Sequence, residues 1–151
     1  MDLDPDEVDA VRRAGLVHDV GLAAIPTAEH AFLADIEHPT IAAQLVDALP
    51  LHPSVASAVA SHHEWYDGWG VPRGLQRDGI PIAGRVLALA AFAVEMSCED
   101  VARPAWPLDR VTDEIGRRRG TQFDPDVVDT GLPALASSLA IALERSNEEE
   151  M

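Results

Sequence analysis

The chain has 151 residues, 47% of them apolar and only 5% aromatic, enough for one domain with a proper core and too few for two comfortable ones. Its formal net charge is −15 and its eleven basic residues are all Arg, so its surface repels a nucleic-acid polymer or an anionic membrane. Cys98 is the only cysteine, which excludes an internal disulfide and fits a reducing, cytoplasmic setting.

A small phosphorylated ligand stays open, because a metal ion can reverse the sign of the local field. The first residues carry no apolar signal-peptide core, and no apolar run approaches a membrane span. Much of the apolar count is Ala, and small residues at helix contacts favour a closely packed, all-α bundle in a single domain.

In chain order, Asp4-Pro5-Asp6-Glu7 reads as a helix start: an N-cap, Pro at the first helical position, then acids facing the dipole. Val8, Val11, Gly15 and His18 follow at helical spacing, which puts His18 on the inward face; Gly21 and Pro26 end the helix. A short second helix is expected over 29–37, and Pro39-Thr40 restarts a third that runs to about residue 48. Pro50 and Pro53 punctuate a turn, and Pro53-Ser54 opens a helix carrying Val55, Val59, His62 and His63. Residues 67–74 are dense in turn formers and form a structured loop.

Residues 82–96 make a strongly apolar, Ala-rich helix expected to be the most buried. Pro104 and Pro107 separate it from a polar helix over 109–119, which Gly120 caps, and Asp124-Pro125 begins another. Gly131-Leu132-Pro133 sets off a last helix, and residues 147–151 are a frayed tail beyond a domain spanning 1–146. No strand alternation and no internal repeat stand out.

Five residues carry the chemistry: the doublet His18-Asp19, then His38, then the doublet His62-His63. Imidazole nitrogens and a carboxylate are the ligands that hold Zn, Fe or Mn. Two such ions about 3.5–4 Å apart would polarise a phosphoryl oxygen and generate hydroxide for in-line attack. A lone His on an apolar helix face is usually a hydrogen-bonded core residue, and His30 and His52 are read that way. Burying the other five groups without a shared partner would be costly. Spacing alone thus supports a metal site and names no reaction.

The motif order resembles the HD-GYP family of the HD superfamily of metal-dependent phosphohydrolases. His18-Asp19-Val20-Gly21 followed by Ile25-Pro26 is similar to its HD-x-G-K…I-P signature, and His38-Pro39 with Ala42 to its H-P-x-x-G/A element. His62-His63-Glu64-Trp65-Tyr66-Asp67-Gly68-Trp69-Gly70-Val71-Pro72-Arg73-Gly74-Leu75 resembles HHE-x-x-DG-x-GYP-x-GL. Ile80-Pro81 with Arg85-Val86-Leu87-Ala88, and Gly120-Thr121-Gln122-Phe123-Asp124-Pro125, match two further elements, so the likeness runs from about Ala10 to Val128.

The resemblance implies an HD-superfamily helical bundle around a divalent metal centre (Fe, Mn or Zn). It implies metal-dependent hydrolysis of cyclic di-GMP, a bacterial second messenger, or of another small nucleotide. By position, His18, Asp19, His38, His62 and His63 would be the ligands, with Asp19 bridging two ions. Glu64 and Asp67 would hold their loop through hydrogen bonds. Arg85 would either meet a phosphate in catalysis or pair with an acid in the loop. The loop around Trp69, Gly70, Val71 and Pro72 is the place where the family meets GGDEF-type protein partners. Trp65 reads as an aromatic anchor over the core, and Trp69 as either an anchor or a partner contact.

Departures from the family pattern weaken catalysis more than fold. Ala91 stands where the family carries a metal-binding Asp, and Glu95 lies one turn on, about 5–6 Å along the same face. Leu22 replaces the phosphate-facing Lys, Val71 the Tyr of GYP, and the segment from Pro26 to His38 is short enough to displace His38. A preceding helix that gives the family a Glu and a His is absent, with 17 residues ahead of His18, which hints at a longer parent protein. Enough ligands remain for one ion and a loosely held second. The expectation is a phosphodiesterase that is weak or inactive as this chain alone, or a non-catalytic signalling module binding a protein or nucleotide on the same scaffold.

Overall fold

The computed structural model describes residues 3–25, 31–99 and 103–149, and within them the chain is all-α: six helices, two short 3₁₀ turns and no strand. Helix α1, Pro5–Val17, opens as its sequence dictates. Asp4 accepts from the Glu7 amide at 2.8 Å while the Glu7 carboxylate accepts from the Asp4 amide at 3.2 Å, a reciprocal capping box. The helix stops at His18, and Asp19 leads into a 3₁₀ turn, Val20–Ala24. Pro26 and His30 lie outside the described residues.

Three boundaries differ from the sequence reading. Helix α2, Ala31–Asp47, runs unbroken through Pro39, where two helices are expected. Pro39 forfeits one backbone donor, but its ring is fully buried, and burial of the surrounding helix outweighs one lost bond. Helix α3, Pro53–Val59, ends short of His62 and His63, which sit in the following turns. There the Ser61 hydroxyl donates back to the Ser57 carbonyl at 2.7 Å, competing with regular helix continuation. Helix α6, Pro125–Glu149, continues through Gly131 and Pro133, so the expected break is not found there.

Helix α4, Ile82–Ser97, is the spine, and α5 spans Leu108–Arg117. The first half of α4 gives Ala83 and Leu87 to a core shared with Ala10 and Ala14 of α1, Ala42 and Val46 of α2, and Val55, Ala58 and Val59 of α3. Its second half gives Leu89, Phe92 and Ala93 to another core, built with Val111 and Ile115 of α5 and Phe123, Val127, Val128 and Leu139. The first core is made almost wholly of Ala and Val, which lets helix backbones come close. Among the described residues, no helix is long and apolar enough to cross a membrane.

Candidate metal centre

Two glycines bring the polar residues together by allowing backbones to meet. A Cβ on Gly21 would collide with the His38 carbonyl oxygen and the Ala42 amide, so the turn after Asp19 presses directly on α2 beside His38. A Cβ on Gly84 would collide with the Ser61 hydroxyl, so α4 packs against the chain next to His62. A larger residue at Gly21 meets main chain that cannot turn aside and would push apart segments that carry the site, whereas at Gly84 the Ser61 side chain would have to turn away.

The result is one cluster from three segments. His38 Nε2 and His62 Nε2 are 3.2 Å apart, and Asp19 Oδ1 lies 3.3 Å from the first and 4.0 Å from the second. Ligand atoms of His38, His62 and His63 all fall within 4.8 Å of one another, and the His63 ring centroid is 4.3 Å from that of His62. The other Asp19 oxygen, Oδ2, is 3.2 Å from His18 Nε2. All five residues singled out in the sequence therefore converge, and the short segment before His38 does not displace it.

The protonation pattern follows from the backbone. His18, His38 and His62 each place Nδ1 against a main-chain carbonyl of their own turn: Gly15 at 3.0 Å, Ala34 at 2.7 Å and Val59 at 2.6 Å. A carbonyl only accepts, so Nδ1 carries a proton and, in the neutral ring, Nε2 turns its lone pair inward. Burial, with His63 alongside, pushes the His62 imidazole down to about 3, so it stays neutral. The adjacent His38 ring first, and the nearby His18 and His62 with it, hold the Asp19 carboxyl below the usual carboxylate range, against the opposing effect of burial.

Three acceptors, His38 Nε2, His62 Nε2 and Asp19 Oδ1, thus face one another. Such a convergence is repulsive unless a proton or a cation lies among them. Ligands bound at about 2.0–2.1 Å to one divalent ion stand roughly 3 Å apart, close to the 3.2 and 3.3 Å that separate His38 Nε2 from its two neighbours. The donor set fits a divalent cation of the Zn, Fe or Mn kind, and tautomers fixed by backbone carbonyls are what such ligands require. Those carbonyls were not singled out in the sequence, although each lies three or four residues before its histidine.

Arg85 sits elsewhere. Its Nη1 donates to Asp124 Oδ2 at 2.6 Å and to Asp78 Oδ1 at 3.4 Å, and it lines a cavity with Ile82, Asp126 and Thr130, away from that of His18 and Asp19. Asp124, 39 residues on, is buried and is a partner the sequence did not suggest. His52 is not a core residue: it is exposed and caps α3, its Nδ1 accepting from the Ser54 amide at 3.3 Å.

The loop after the His doublet is held from beneath by Glu64. That buried carboxylate accepts from the amides of Arg73 at 2.8 Å and Leu75 at 2.9 Å. Asp67 accepts from the Trp69 amide at 3.0 Å, an Asx turn. Val71 donates to the His63 carbonyl at 3.0 Å, and a Cβ on Gly70 would collide with the Trp65 amide, so the loop folds back tightly on the chain that follows the doublet. Trp65 is only a partial anchor at 37% exposed, and Trp69 is 84% exposed among the described residues.

Comparison with known proteins agrees with this architecture. The HD domain family matches residues 1–127. A cyclic di-GMP phosphodiesterase of Vibrio cholerae serotype O1 is 31% identical over 93% of this chain and 32% of its own length. A cyclic di-GMP phosphodiesterase of Thermotoga maritima is 30% identical over 95% of this chain and 42% of its own. The crystal structure of a cyclic GMP-AMP specific phosphodiesterase of V. cholerae superposes with a TM-score of 0.67 at 18% identity, over 92% of this chain and 39% of that one, and so shares the fold. The chain spans between about a quarter and two fifths of the length of the curated relatives it matches. It belongs to the HD domain family, as a member of the HD-GYP type.

Proposed function

We propose that this chain is a metal-dependent phosphodiesterase domain acting on a cyclic dinucleotide such as cyclic di-GMP, with weak turnover when alone. Membership of the HD domain family implies binding of a divalent metal. The observation that carries the reading is the meeting of His38 Nε2, His62 Nε2 and Asp19 Oδ1 within 4.0 Å, with both imidazoles locked as Nε2 acceptors. His63, against the same pair, completes the donor set for one ion, and His18 with the far oxygen of Asp19 offers a start for a second.

When bound, a divalent cation would polarise a phosphoryl oxygen and lower the pKa of water at the site. The chain's own residues orient and hold. Asp19 spans the two sets of imidazoles with its two oxygens, and Glu64 fixes the loop that follows the histidine doublet. Leu22, 40% exposed in the turn after Asp19, supplies no positive charge to a phosphate, and a missing donor of that kind raises a barrier by several kcal/mol. Arg85, engaged with Asp124, serves in this reading to pin α4 to α6. The single exposed cysteine suits a reducing, cytoplasmic setting.

The test is metal content per chain together with hydrolysis of cyclic di-GMP by the metal-loaded protein. At least one equivalent of Fe, Mn or Zn with slow turnover that a chelator abolishes is the expected result. A chain that takes up no metal and hydrolyses nothing overturns the proposal. One observation favours a second reading, a signalling module on the same scaffold: Trp69 lies bare on a loop tied to His63 through Val71. Its partner would be a GGDEF-type protein, and retained metal without turnover would favour it.

A further inference from the structure

Asp19 divides its carboxylate between two neighbourhoods. Oδ1 faces His38 and His62, whereas Oδ2 lies 3.2 Å from His18 Nε2, whose lone pair is aimed there because Nδ1 is tied to the Gly15 carbonyl. Two acceptors at that distance repeat the situation in the main cluster. His18 and Asp19 also line a cavity of about 340 Å³ whose far wall is α4. From that wall Ala90, Ala91 and Val94 offer only methyl groups, and Glu95 offers the sole carboxylate.

We propose that Glu95 holds a second divalent cation in this cavity, together with His18 Nε2 and Asp19 Oδ2; this rests on the metal reading of the site given above. Helical side chains lean toward the N-terminus of their helix, so Glu95 is directed back along the wall toward Ala91, one turn below. The methyl groups of Ala90 and Ala91 leave that space open. A second dication beside neutral imidazoles and one shared carboxylate also needs further negative charge, and Glu95 brings it. Sequence spacing argued against a like-for-like exchange of residue 95 for residue 91. The cavity answers this, since its donors lie on the opposite wall and the longer side chain approaches from above. Cys98 lines the same cavity but is short and lies about one turn farther on.

The experiment loads the full chain with Mn(II), counts metal per chain and records the electron paramagnetic resonance spectrum. The native chain is expected to hold two ions that are spin-coupled through Asp19. Glu95→Gln, an exposed position where folding is checked by circular dichroism, should weaken the second ion by at least about tenfold, the scale of losing even an outer partner of a metal ligand. Its spectrum should become that of an isolated ion. Adding Ala91→Asp to that variant should restore the pair, and Cys98→Ser should change nothing. The inference is overturned if Glu95→Gln keeps both ions at native affinity, if the native chain holds only one, or if Cys98→Ser alone removes the second. A native chain that holds no ion overturns the metal reading itself, which is a different failure.

Discussion

The two cores that meet on α4 are built from different materials. The one beneath the histidines is made of Ala and Val with glycines at the closest approaches, Gly21 on α2 and Gly84 on Ser61. The one beyond it relies on Phe92, Phe123, Ile115 and Leu139, with ion pairs such as Arg119 to Asp129 on its surface. Small residues give the first core little area per side chain, but they set backbone spacing to within a methyl group, which is what a cluster of ligands needs. Large residues give the second core most of its burial energy and place no chemistry. One half of the molecule is built for position and the other for stability.

That contrast can be broken from the stability side first. Phe123→Ala empties a fully buried site against Phe92 and should cost about 3–5 kcal/mol, read by denaturant unfolding. Metal affinity of the fraction that remains folded should stay within about twofold, given the distance between the two cores. If affinity falls with stability, the halves are not separable. Gly21→Ala reverses the pattern. Overpacking should cost about 1–3 kcal/mol, less than the Phe123 cavity, yet metal uptake should drop sharply because the turn bearing Asp19 is pushed off His38. Native metal affinity in that variant would dissolve the link between close approach and ligand geometry. Trp69→Ala sharpens the comparison from the surface. Stability should change by under about 0.5 kcal/mol and metal content not at all, while capture of a GGDEF-type partner is lost. Unchanged capture would remove Trp69 from any interface.

Local chemistry made much of this readable in the sequence. The N-cap at Asp4, the apolar run of α4 and the turn formers after Glu64 all act over a few residues, and each is found where it is expected. The histidine doublets also stood out, because five ligand-type groups on inward faces demand a common partner. What was not legible depends on contacts far apart in the chain. Pro39 and Pro133 look like breaks, since a missing donor is a local fact, whereas the packing that carries α2 and α6 past them is not. Arg85 reads as meeting either a phosphate or an acid in the loop, because nothing nearby predicts that Asp124, buried at the start of α6, will take its guanidinium. Helix α3 was drawn too long because its periodicity persists while the Ser61 hydroxyl turns back on the helix.

The carbonyl tethers on His18, His38 and His62 have a thermodynamic corollary. Each ring is oriented as part of its own helix turn, so the rotational entropy of arranging the ligands is lost during folding and not during ion capture. The acceptors gathered at the centre repel one another unless a proton or a cation lies among them, and a bound dication would relieve that frustration. Ion loading and folding would then be linked equilibria, and the melting temperature of the domain would rise with the free metal concentration around it.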